Sequence, residues 1–271
     1  MCLHDNTYLC ILLFMSSRII SIALAKGGVG KTTTSVNLAA GLVQKGRRVL
    51  IVDTDTQDQI PRTLGIQPPY GLYELATQTA AKKEHGEVLF EARPNLYVIA
   101  GGDNLTALKN EIMNADFRRE FRLADTLEKL EPYFDYILID NSPGWDSLSI
   151  NIQFCAQELL CPISLETLAI TGLRSYLNRL ERIQEARKSY KLPPVELRYI
   201  LPTMLDTRVA QSAELLSGLR EKFSDKVCEP IRVNVRLSEA PAYGQTIFEY
   251  APKSRGAEDY GRLTERVMKD E

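Results

Sequence analysis

Residues 21–33 read SIALAKGGVGKTT, and this stretch decides the fold. An apolar run ends in a glycine-rich loop. The loop runs into TTTSVNLAAGLVQK (32–45), where Val36, Ala39, Ala40 and Val43 recur at helical spacing. Strand, glycine loop and helix start in that order form a phosphate cradle. Gly27, Gly28 and Gly30 let the backbone curl so that N–H groups point at an anion, and the helix N-terminus adds its dipole. Lys31 supplies a mobile cation for the β- and γ-phosphates of a nucleotide, and the Thr32 hydroxyl is placed to ligand Mg²⁺. Val29 and Thr33 complete the candidate nucleotide contacts. One lysine suffices for such a loop, so Lys26 at its opening needs a separate account.

Working outward, further apolar runs rich in β-branched residues read as buried strands. With IISIAL (19–24) they are VLIVD (49–53), LYVIA (96–100), YILID (136–140), LLCPI (159–163) and LRYILP (197–202). Helical segments between them, including 165–188 and 210–223, imply βαβ units. The expected fold is α/β: a doubly wound, mostly parallel sheet with helices on both faces. Ligands of such sheets bind beyond the carboxyl ends of the strands, and acids appear there. VLIVDTDTQD (49–58) places Asp53 and Asp55 two residues apart, on one face of an extended chain. YILIDNSPG (136–144) places Asp140 where an acid holds Mg²⁺ through a water molecule. The competing reading, aspartates that cap helices or turns, explains one such residue better than three.

The bulk numbers fit this picture. The chain has 271 residues, 44% hydrophobic, with a net charge of −2, so a sizeable core is expected and wholesale disorder is not. Nucleic-acid binding would need a local basic patch or a dimer. The five cysteines (Cys2, Cys10, Cys155, Cys161, Cys228) form no CxxC pair, which argues against zinc and iron–sulfur sites and fits a reducing cytoplasm. His4 and His85 lie far from the motifs. The run YLCILLFM (8–15) falls short of the ~20 residues that span a bilayer, and no Lys or Arg precedes it. Residues 1–17 are expected to be an N-terminal extension, non-native or dispensable over 1–14, before one domain at 18–271. An apolar arm packed on the domain is the alternative.

KGGVGKTT resembles the deviant Walker A motif of the ParA/MinD family of P-loop ATPases. VDTDTQ resembles that family's second acidic motif, and ILIDNSPG its Walker B strand. VRLSEAPAYG (235–244) and YAPKSRGAEDY (250–260) are similar to C-terminal segments of the ParA/Soj partition ATPases. The resemblance runs from about residue 18 to 269. It implies a role for Lys26 as the signature lysine, which reaches across an ATP-sandwich homodimer to the partner's phosphates. A solvated lysine closing a strand is the alternative. The resemblance further implies slow, partner-stimulated ATP hydrolysis. Lys26 and Lys31 neutralise charge, Asp55 orients the water, and Asp53 supports the metal or the switch. It implies sequence-nonspecific DNA binding by the dimer through Arg208 and Arg236, with Lys253 and Arg255 as additions, and hence strong salt dependence. A ParB-like or other cargo-adaptor partner with a short basic N-terminal segment is implied, in a bacterial cytoplasm at the nucleoid.

Three departures stand out. Arg232, Val233 and Asn234 replace the usual proline–arginine–asparagine run, leaving Asn234 as the candidate adenine contact. DTQDQIPRTLG (55–65) replaces the DPQGNAT wording, and DNSPG replaces the commoner DCPPS. Two other classes compete. A MinD-like membrane ATPase would end in an amphipathic membrane helix, and GRLTERVMKDE (261–271) has little apolar content. An amide-forming synthetase shares the Walker motif but does not explain VRLSEAP.

Overall fold

The computed structural model describes residues 17–77 and 88–271. Most of the proposed extension, together with Cys2, Cys10, His4 and His85, lies outside the described residues. Seven strands form one sheet in the order β3-β4-β2-β5-β1-β6-β7. They are β1 (Arg18–Ile22), β2 (Val49–Asp53), β3 (Phe90–Arg93), β4 (Leu96–Ile99), β5 (Tyr136–Asp140), β6 (Glu158–Ser164) and β7 (Glu196–Thr203). All neighbours pair in parallel except β3, which runs antiparallel to β4 at one edge.

Parallel strands covered on both faces need apolar residues at consecutive positions, because neighbouring side chains point to opposite sides. Strand β2 shows this directly. Val49 and Ile51 enter one core with Val36, Leu38 and Leu42, while Leu50 and Val52 enter another with Leu105, Leu123 and Leu148. The first core lies under α1 (Lys31–Gln44) and α11 (Arg255–Lys269). The second lies under α3 (Leu72–Ala76), α4 (Leu105–Asn114), α5 (Arg122–Leu127) and α6 (Ser147–Cys155). A third, built on β6 and β7, is closed by α7 (Thr167–Ser189) and α8 (Ala210–Phe223). Three short helices complete the described chain: α2 (Gln59–Leu64), α9 (Val235–Glu239) and α10 (Ile247–Tyr250).

The doubly wound α/β architecture is therefore the one expected, and all six expected strands are present. The seventh, β3, has the sequence FEAR and lies at the edge with mixed burial, so it carries no apolar run. Helix α11 bears on the membrane alternative. Its apolar residues Ala257, Tyr260, Leu263 and Val267 are buried in the core beside α1. None of the described helices is long and apolar enough to cross a membrane.

This topology brings the loops after the six parallel strands to one end of the sheet. Those after β1, β2, β5, β6 and β7 carry Lys26, Asp55, Asn141, Glu166 and Met204 respectively.

Candidate functional site

The loop after β1 turns through Gly28 (φ 73°) and Gly30 (φ 89°), both left-handed positions that a side chain would strain. A Cβ added at Gly28 would face open space. Gly30 caps α1 without a side chain, so the first N–H groups of a fourteen-residue helix have no capping side chain. Val29 is buried in the core, and its carbonyl accepts the Thr203 hydroxyl at 2.9 Å. That bond ties the loop to β7. Gly27, Gly28, Gly30, Lys31, Thr32 and Thr33 then line a cavity of about 250 Å³. Asp55 and Gln59 close it from the β2 side, Asn141 and Pro143 from the β5 side, and Met204 from the β7 side.

Lys31 folds back across the loop, and its Nζ donates to the Lys26 carbonyl at 2.9 Å. Burial lowers its pKa, against the opposing pull of Asp140 and Asp55. Its charge is thus held close to the cavity with few competing partners. The side chain of Lys26 goes elsewhere. Its Nζ pairs with Glu166 at 2.7 Å, and Lys26 does not line the cavity of its own loop.

The three acids separate into distinct environments. Asp140 is buried. Its Oδ2 accepts the Thr32 hydroxyl and its Oδ1 the Ser35 hydroxyl, each at 2.8 Å. Burial raises its pKa to about 6, and the two hydroxyls work against that rise. Asp53 pairs with Asp140 in the β2–β5 register and is fully buried. Its Oδ1 accepts the Asp55 N–H at 2.9 Å and its Oδ2 the Ile60 N–H at 3.0 Å. Burial, followed by the nearby Asp140, pushes its pKa up to about 8. Asp55 is half-buried at the cavity wall. The two acids do not reach the cavity together, because β2 ends at Asp53 and the alternation that would align them ends there too. Asp53 instead anchors the start of the segment that carries Asp55.

The donors present suit a polyphosphate: glycine-loop N–H groups, a buried lysine and a helix N-terminus. The Thr32 hydroxyl with Asp140 behind it suits a hard cation that prefers oxygen ligands. Gln59, Asn141, Pro143, Met204 and Glu166 were not singled out from the sequence. Gln59 Oε1 lies 3.3 Å from the Thr32 hydroxyl oxygen, a longer contact than the one the hydroxyl makes to Asp140. The deviation of DTQDQ and DNSPG from the family wording was the available signal for Gln59 and Asn141.

The other residues singled out lie away from the cavity wall. Asn234 caps α9, its Oδ1 accepting the Arg236 N–H at 2.9 Å, and is absent from the cavity lining. Arg208 lies in the β7–α8 loop with its side chain 86% exposed and paired to Asp206 at 2.7 Å. Arg236 pairs with Glu239 at 2.7 Å, and Glu239 also accepts the Tyr250 hydroxyl at 3.0 Å. Lys253 and Arg255 are exposed just beyond Tyr250. The chain is continuous from Arg236 to this turn through α10, and Val233 N–H bonds the Leu205 carbonyl at 3.0 Å, which links the Arg208 loop to the same region.

A parallel α/β sheet with this loop after its first strand defines a P-loop nucleotide-binding protein. A family model described as an AAA domain matches residues 17–192. The sporulation initiation inhibitor protein Soj of Bacillus subtilis is 36% identical over 92% of this chain and 98% of its own length. The chromosome partitioning protein ParA of Myxococcus xanthus is 35% identical over 93% of this chain and 88% of its own. Among solved structures, a cobyrinic acid a,c-diamide synthase from Mycobacterium smegmatis, with a bound ATP analogue and magnesium, superimposes with a TM-score of 0.76. It is 26% identical and covers 93% of this chain and 95% of that one. The chain belongs to the ParA/Soj family of partition P-loop ATPases.

Proposed function

We propose that this chain is an ATP-driven switch that segregates or positions DNA, or another cargo, over the nucleoid in the cytoplasm. ATP binding closes a homodimer, the dimer grips DNA without reading sequence, and an adaptor of ParB-like character stimulates hydrolysis and release. One observation supports the reading: the loop holds two lysines with separate partners. Lys31 lines its own cavity, while Lys26 rests on Glu166 outside it. Exposed pairs of that kind contribute roughly 0–1 kcal/mol, and Glu166 is 64% exposed. Lys26 is therefore inexpensive to release toward a second subunit. The exposed Leu168, Met204, Val209, Val233 and Val235, on loops and helix starts at this end of the sheet, support a covered face there.

The loop N–H groups and Lys31 would hold the phosphates of ATP. Thr32, backed by Asp140, would hold Mg²⁺, which when bound offsets phosphate charge and fixes phosphate geometry. Asp55 orients the attacking water, and Asp53 positions Asp55 by holding its N–H. On the DNA side, Arg208, Arg236, Lys253 and Arg255 neutralise phosphates. Dimerisation doubles that patch on a chain of net charge −2.

Sedimentation with DNA, with and without ATP, at two salt concentrations tests the reading. DNA is expected to pellet the protein only with ATP, and less at the higher salt. Binding that ignores nucleotide would contradict it. The likeness to the diamide synthase gives a second reading, an ATP-dependent amide-forming enzyme. ATP turnover that requires a small carboxylic acid, with no DNA retention, would favour that one.

A further inference from the structure

Strand β1 has the sequence RIISI, and its one small polar side chain, Ser21, is fully buried. A lone hydroxyl in an apolar strand needs a partner. Ser21 Oγ accepts from two carboxamides: Asn141 Nδ2 at 3.1 Å and Gln153 Nε2 at 3.2 Å. The second hydrogen of Asn141 Nδ2 goes to the Ile139 carbonyl at 3.0 Å. A carbonyl oxygen only accepts, so the amide nitrogen must face it, and the orientation of the Asn141 side chain is fixed by chemistry. Its Oδ1 is then the free end. Among the described residues no hydrogen bond reaches it, and Asn141 lines the phosphate cavity.

Oδ1 is therefore a neutral, rigidly held acceptor on a residue at the wall of a cavity otherwise furnished with cations, N–H donors and the carboxylate of Asp55. A phosphate oxygen also only accepts, so Oδ1 offers it nothing. An N–H, an ammonium or an O–H can satisfy Oδ1. The loop N–H groups and Lys31 are assigned to phosphate in the proposed reading, which leaves an O–H, and the reaction proposed for this cavity consumes one. We infer that Asn141 Oδ1 accepts a hydrogen bond from the hydrolytic water and, with Asp55, orients it toward the terminal phosphorus. Ser21 is the positioning residue that holds Asn141. The water oxygen joins phosphorus as the bond to the bridging oxygen breaks, that electron pair leaves with ADP, and the water's protons end on phosphate and solvent. The DCPPS wording commoner in the family has a cysteine at this place, which offers no carbonyl acceptor, so the device belongs to this chain's DNSPG variant.

This inference rests on the ATPase reading, and wild-type turnover in the same assay separates the two. The test compares kcat and KM for ATP, affinity for a non-hydrolysable ATP analogue, and thermal melting. The variants are Asn141→Leu, which keeps the size and removes the acceptor, and Ser21→Ala, which leaves Asn141 intact but loosens it. Asn141→Leu is expected to lower kcat by ~10-fold or more, with analogue affinity and KM changed by less than about 3-fold. Ser21→Ala should repeat the pattern with a smaller loss, and it carries the test if melting shows that Asn141→Leu does not fold. Normal kcat in the folded variants, or analogue affinity falling in step with kcat, would overturn the role of Asn141. A wild-type protein that turns over no ATP would overturn both the inference and the reading beneath it.

Discussion

The phosphate end of the sheet and the exposed basic residues Arg208, Arg236, Lys253 and Arg255 are built on opposite principles. At the phosphate end Lys31, Asp53 and Asp140 are buried and each has defined partners. Lys31 reaches the Lys26 carbonyl, Asp140 takes two hydroxyls, and Asp53 takes two backbone N–H groups. Among the basic residues, Arg208 and Arg236 are exposed and each is paired with one carboxylate, Asp206 and Glu239 respectively. A buried charge must be satisfied by particular atoms, so geometry specifies it closely. Exposed charges act through their sum and are screened by salt. The first region should therefore fail at single substitutions, and the second only when several charges change together.

The largest effect is expected at Asp55. Asp55→Ala should still bind ATP but lose about 100-fold or more in kcat, the scale expected when a group that orients the reacting water is removed. Steady-state turnover beside analogue binding checks this, and near-normal turnover would move the water-orienting role elsewhere. Among the basic residues, Arg208→Glu with Arg236→Glu should abolish ATP-dependent DNA retention at moderate salt while nucleotide affinity stays within about 2-fold. Each single change should cost far less, roughly one phosphate contact apiece in the slope of affinity against salt. A DNA affinity unmoved by the double change would remove these arginines from the interface.

The smallest effect sharpens the contrast from within the loop after Asp55. Asp58 has φ 53°, a left-handed conformation that favours glycine, and its Oδ1 is buried without a hydrogen-bond partner. The family wording DPQGNAT has glycine at that place. Asp58→Gly should stabilise the fold by about 1 kcal/mol, a rise of ~2–4 °C in Tm. Thermal melting of the two proteins decides it, and a drop in Tm would show that the Asp58 side chain holds the loop.

The same division explains what was legible in the sequence. The six buried strands announced themselves because both of their faces meet core, whereas FEAR at the edge had no such constraint. The glycine loop, Lys31, Thr32 and Asp140 were legible because a phosphate cradle permits few residue types. The split between Asp53 and Asp55 was not, since it depends on where β2 stops and the chain turns. Gln59, Asn141, Glu166 and Met204 come from segments that follow four different strands and meet only because the sheet order gathers its carboxyl ends. No local pattern in the chain encodes that meeting. The basic residues could be named, but their pairing with Asp206 and Glu239 depends on loop conformation.

The central claim is that Lys26 serves a second subunit while Lys31 serves its own. Light-scattering mass of the Asp55→Ala protein in saturating Mg²⁺ and ATP tests it most directly, because hydrolysis is blocked there. The account predicts twice the chain mass with ATP, the single-chain mass without it, and the single-chain mass with ATP once Lys26→Ala is added. A protein that stays monomeric with ATP, or a Lys26→Ala variant that still pairs, would contradict it.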